Sequence, residues 1–180
     1  MRPGVFVFEL RLYGASEPGL CRRRGSLFMD APVILWGLVL MPALAALAWI
    51  DMRSMRLPDV ITLPLIAAGL VQSWYFTGNV YDAAIGAAVG YLVFVLVEVS
   101  YRRLRGRDGL GRGDAKLLAA GGAWCGWMGI PWIVLIASGT GLAFAGLMLL
   151  AGRRVTGMMP FGPFLALGIA AVWIGVALCF

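Results

Sequence analysis

Six apolar stretches, separated by short polar gaps, leave this chain few ways to fold. They fall at roughly 31–50, 60–77, 81–101, 113–128, 130–151 and 159–179. About 20 apolar residues in a helix cross the ~30 Å hydrocarbon core of a bilayer. Inside hydrocarbon each backbone N–H and C=O must find an internal partner, which only helices and closed barrels provide. Barrel strands alternate apolar and polar side chains, whereas these stretches are apolar throughout. The chain is therefore predicted to be an all-α, polytopic membrane helix bundle with about six transmembrane helices. Its composition agrees: 61% of the 180 residues are hydrophobic and 13% are charged. A soluble domain carries about 25% charged residues. The fourth stretch is the shortest and is expected to begin at the interface or in a polar cavity.

The net charge of +6 does not indicate nucleic-acid binding. The basic residues lie in the gaps, where they orient a membrane protein. Arg53 and Arg56 follow the first stretch. Arg102, Arg103, Arg105, Arg107 and Arg112 follow the third, with Lys116 just beyond, and Arg153 and Arg154 follow the fifth. The gaps near Gly78 and Gly129 hold none. All three basic gaps fall on one side of a six-span chain, and that side is expected to face the cytoplasm. Residues 1–30 run against the pattern with Arg2, Arg11, Arg22, Arg23 and Arg24. Their apolar run, Val5–Phe8, is too short for a signal peptide. Two readings stay open: a poorly ordered extension, or a misassigned start with Met29 as the first residue. The domain expected to fold is 31–180.

Cysteine and histidine usage limits the chemistry. The three cysteines, Cys21, Cys125 and Cys179, are far apart, and there is no histidine. A tetrahedral zinc site lacks its usual ligands, so no metal or cofactor is expected. Cys125 and Cys179 read as small packing residues. Gly86 and Gly90 form a GxxxG pair, and Gly121, Gly122 and Gly126 cluster in the fourth stretch. Such residues let membrane helices approach closely.

Acids beside membrane spans are costly and therefore informative. Six of the nine have a structural explanation. Glu9, Glu17 and Asp30 precede the spans, and Asp82 opens the third span, where a helix N-terminus favours negative charge. Glu98 has Arg102 at i+4 as a partner, and Asp108 lies in a basic, glycine-rich gap. Asp51, Asp59 and Asp114 stand apart. Asp51 closes the first apolar stretch, and Asp114 opens the fourth within Gly111-Arg112-Gly113-Asp114-Ala115-Lys116. Both are expected at the cytoplasmic interface. Two carboxylates held close share a proton, because both do not ionise easily. The ionised one takes a proton from water, and the protonated one hydrogen-bonds the scissile carbonyl of a peptide. Two interfacial acids paired with nearby arginines would look the same at this level.

The residues around these acids resemble the catalytic part of the prepilin peptidase (type IV leader peptidase) family, which are GxGD-type membrane aspartic proteases. Ile50-Asp51, Leu57-Pro58-Asp59 and Thr62-Leu63-Pro64-Leu65 form the first block. Gly109-Leu110-Gly111-Arg112-Gly113-Asp114-Ala115-Lys116 and the residues through Trp127 form the second, and Pro160-Phe161-Gly162-Pro163-Phe164-Leu165 the third. A lone GxGD is weak, but three ordered blocks over residues 31–180 are specific. The resemblance implies an endopeptidase of the bacterial inner membrane. It would cut the leader from type IV prepilins or pseudopilins at the cytoplasmic face, in type IV pilus or type II secretion systems. Asp51 and Asp114 match the catalytic pair. Asp59 matches a motif position and is expected to cap the second helix. Lys116 points away from Asp114 and is expected to meet lipid phosphate or a neighbouring carboxylate. Pro160, Phe161, Gly162 and Pro163 are expected to line the substrate cleft, with Gly111 and Gly113 letting substrate backbone approach.

Many members of that family carry an additional N-terminal portion with two CxxC pairs, associated with zinc and with methylation. Residues 1–30 hold only Cys21, so a short form is expected. The expectation of activity covers the peptidase and does not extend to the methyltransferase. Three rivals remain: a transporter or proton channel, an inactive scaffold of a pilus or secretion apparatus, and a methyltransferase alone. A transporter would place its acids near the bilayer midplane, and no glycine-rich nucleotide fingerprint supports the last.

Overall fold

A computed structural model describes residues 27–54, 57–105, 111–151 and 160–177. The described residues form six helices and no strands. These are α1 (Leu27–Ser54), α2 (Asp59–Thr77), α3 (Tyr81–Arg105), α4 (Arg112–Cys125), α5 (Gly129–Leu150) and α6 (Gly162–Ala177). The chain is a multi-pass membrane helix bundle. α2, α3, α5 and the Pro32–Ser54 part of α1 are long and apolar enough to cross a bilayer, and α6 is apolar but shorter. Large apolar side chains face outward, among them Leu142, Leu150 and Val60, as lipid-facing surfaces require.

α4 forms the centre. Every residue from Asp114 to Cys125 except Lys116 is buried. α3 packs against it antiparallel, because each helix presents a glycine to the other: a Cβ on Gly86 would strike the Gly122 carbonyl. One turn further, Gly90 meets Leu118 in the same way. α2 lies along α4 in parallel, with Gly69 making room for Trp124. Trp124 binds the far end of the bundle together. Its indole N–H donates to the Leu65 carbonyl at 2.8 Å, and its ring meets Trp36 of α1 and Trp173 of α6. α6 packs against α1, α4 and α5.

Several boundaries differ from those expected. α1 takes in residues 27–30, which the apolar pattern leaves to the extension, and runs one turn past Ile50. Asp51 is therefore inside a helix rather than at its end. α4 ends at Cys125, where Gly126 adopts φ 73° and turns the chain into α5. α4 has 14 residues, or ~21 Å at ~1.5 Å per residue, short of a full crossing. Residues 1–26, and with them Cys21 and the arginines of the extension, lie outside the described residues, as do Asp108, Gly109, Leu110 and Cys179. Cys125 is buried in the core, as a packing residue would be.

Candidate active site

Asp51 faces inward because it continues the buried stripe of α1. Leu40, Leu44, Leu47 and Asp51 recur at helical spacing, and all four are buried. Asp51 retains only 5% exposure. Its Oδ2 accepts a hydrogen bond from the Gly162 backbone N–H at 3.0 Å. Gly162 opens α6, and the first N–H groups of a helix have no partner within it. Asp51 thus serves as an N-terminal cap supplied by another helix, where the helix dipole favours a carboxylate. The site has no room for a larger residue. A Cβ on Gly162 would lie 2.6 Å from Asp51 Oδ2 and 2.8 Å from its Cγ.

Asp114 comes from the first turn of α4 and is 8% exposed. Its backbone N–H donates to the Gly111 carbonyl at 3.0 Å, closing the turn that begins the helix. The carboxylates of Asp51 and Asp114 lie near enough to repel each other. Helix register explains the meeting. Gly121 of α4 packs on Ile169 of α6, and going two turns back along these parallel helices aligns Asp114 with Gly162.

The same construction identifies residues that sequence motifs do not. The α3–α4 register, extended by one turn beyond Gly90, sets Phe94 level with Asp114. Phe94 is buried and its ring meets Phe161 at 6.2 Å. One turn further, Glu98 is 8% exposed and lies 3.9 Å from Arg112 Nε. Gly86, Gly90, Phe94 and Glu98 are spaced four apart, so the stripe was present in the sequence beyond the GxxxG pair.

The remaining motif residues lie at the starts of α2, α4 and α6, at the same end of the bundle. Pro160, Phe161 and Pro163 are half-buried beside Gly162. Gly111 is exposed, and Gly113 packs against Leu57, whose Cβ would be 3.0 Å from an added Cβ. Asp59 does not cap α2. Pro58 holds that position and no side chain caps the helix there. Asp59 is the first residue of α2 and binds Lys116, with Oδ1 to Nζ at 2.6 Å. Of the two partners expected for Lys116, the structure shows the carboxylate. Among the described residues, no cluster of three or more Asp, Glu, Cys or His side chains is placed to hold a metal ion.

The chain also matches known proteins. The model of the type IV leader peptidase family covers residues 38–146, which include both aspartates. The chain belongs to the type IV leader peptidase family. A relative named prepilin leader peptidase/N-methyltransferase, from Burkholderia pseudomallei, is 45% identical over 148 residues, 81% of this chain and 48% of that protein. Proteins of the same name are 44% identical in Aeromonas salmonicida, over 77% of this chain and 50% of theirs, and 46% identical in Escherichia coli, over 68% and 55%. The chain spans about half the length of these curated relatives. No solved structure matches it significantly.

Proposed function

We propose that this chain is a membrane aspartic endopeptidase that removes the leader from prepilins or pseudopilins, with Asp51 and Asp114 as its catalytic pair. The observation that carries this reading is that α1 and α4 each bury a carboxylate at the basic end of the bundle, close enough for one to act on the other. The names of the relatives supply the substrate class. A transporter would hold such acids near mid-bilayer, along a pathway.

The chemistry follows from the asymmetry of the pair. Asp51, which accepts an N–H bond from Gly162, is assigned the role of base in this reading, and Asp114 carries the shared proton. A water between them gives a proton to Asp51 as its oxygen attacks the scissile carbonyl, and Asp114 donates to the developing oxyanion. Collapse of the tetrahedral intermediate returns a proton to the leaving amine. The inner membrane, with the pair on the cytoplasmic side, is the setting that the basic gaps support.

The test is leader cleavage of a co-expressed prepilin by the wild type, Asp51→Asn and Asp114→Asn at matched membrane levels. Each amide keeps the side-chain shape and removes the titratable proton. Both variants are expected to lose cleavage by at least about a hundredfold, the scale of general acid–base catalysis. Wild-type cleavage by either variant would refute the two-aspartate mechanism.

A further inference from the structure

The two aspartates are carried by helices that share neighbours. α1 packs on α6 and α2, while α4 packs on α3, α2 and α6. α1 and α4 meet at the far end of the bundle through Trp36 and Trp124. α2 and α6 contact both helices. One brace is α6, whose Gly162 N–H holds Asp51. The other is α2. It joins α1 through residues 55–58, and its first residue, Asp59, binds Lys116 of α4 at 2.6 Å.

Lys116 is two residues beyond Asp114 and so leaves α4 on a different face. Its ammonium meets Asp59, not the reacting carboxylates. Beneath this pair, Leu57 packs on Gly113, one residue before Asp114. The link between α2 and α4 is therefore made within one turn of Asp114 and one short linker from Asp51. Both partners keep water contact, with 29% of the Lys116 and 54% of the Asp59 side chain exposed. A pair so exposed adds little to overall stability. It can still set geometry, because catalysis is far more sensitive than stability to a misplacement of about 1 Å.

We propose that Lys116 and Asp59 are positioning residues that form a clamp setting the separation of Asp51 and Asp114. The clamp rests on the two-aspartate reading. It would act on the rate of the chemical step and leave substrate binding nearly unchanged.

The test is steady-state cleavage of a prepilin by the full chain reconstituted in liposomes, with thermal unfolding measured in parallel. Lys116→Met keeps the stem and removes the charge. It is expected to lower kcat by about tenfold or more, on the scale of a small displacement, with KM and unfolding temperature nearly unchanged. Lys116→Arg is expected to retain activity. The exchange of charges, Asp59→Lys with Lys116→Asp, is expected to recover most of what either single change loses. A wild-type kcat for Lys116→Met would overturn the clamp. So would a loss confined to KM, or an exchange no better than the worse single variant. Asp51→Asn is run alongside: if it cleaves at the wild-type rate, the two-aspartate reading falls and the clamp with it. If it is inactive while Lys116→Met is normal, the clamp alone falls.

Discussion

Gly162 holds its place by space, not by backbone conformation. The described glycines with positive φ are Gly78 and Gly126. A methyl group at 162 would sit 2.6 Å from Asp51 Oδ2, closer than real Cβ contacts come. The carboxylate would have to move, and its bond from the Gly162 N–H would lengthen. Gly162→Ala is therefore expected to lower prepilin cleavage by about tenfold to a hundredfold, while the protein still inserts at wild-type levels. Gly175, whose added Cβ meets nothing within 4 Å, provides the control: Gly175→Ala should cleave normally. Cleavage assays on the two variants would check this, and normal activity in Gly162→Ala would show that Asp51 tolerates displacement. Asp51 itself was legible from sequence. It is the acid that closes the first apolar stretch, and the fold adds that it continues the buried stripe from Leu40. The role of Gly162 was not legible to the same degree. The motif pointed to a cleft lining, but the contact that matters lies 111 residues away along the chain. The capping role expected of Asp59 failed because Pro58 fills that position, and Asp59 turns instead to Lys116.

At the scale of the helix, α4 is held by backbone approach. Added Cβ atoms on Gly86 or Gly122 would strike the facing carbonyl, so α3 and α4 would be forced apart. Gly86→Ala and Gly122→Ala are each expected to destabilise the bundle by about 1–3 kcal/mol, the usual cost of overpacking. Because the α3–α4 contact leads directly to Asp114, cleavage should fall as well. Gly139→Ala and Gly146→Ala, where an added methyl meets nothing, should be neutral. Thermal unfolding in detergent distinguishes the two groups, and a uniform response would refute the close-contact account. The existence of the helices was legible in apolar length, since hydrocarbon permits little else. Their arrangement was less so. Apolar runs do not reveal which helix the others surround, and the fourth stretch looked like its neighbours apart from its shorter length. Glu98 illustrates the gap. Sequence spacing offered Arg102 as a local partner, and it gave no sign that the fold also brings Arg112 within 3.9 Å across the α3–α4 contact and buries the acid.

At the scale of the whole molecule, the site's depth and orientation are linked. Phe94 marks the level of Asp114 on α3, and α3 continues to Arg105. Those eleven residues rise ~16 Å, so α3 extends past the carboxylates, while Asp51 and Asp114 lie within a turn of the ends of α1 and α4. A peptide must reach them from that end or between helices, and the side of the membrane it comes from depends on insertion. Ten basic residues lie in or beside the gaps after α1, α3 and α5, and five precede α1. Arginine and lysine in short loops near span ends govern orientation, and the larger group has that placement at three successive gaps. The basic end is therefore expected to face the cytoplasm. On a background with the native cysteines replaced, Arg103→Cys and Asn79→Cys place a thiol at opposite ends of α3. In intact spheroplasts, an impermeant maleimide should label Asn79→Cys at once and Arg103→Cys only after lysis. The reverse pattern would put the aspartates on the outer side and remove the cytoplasmic cleavage reading. Starting the chain at Met29 should leave labelling unchanged, because the three downstream gaps remain. If that start inverts the pattern, the arginines of residues 1–28 control insertion and the downstream gaps do not.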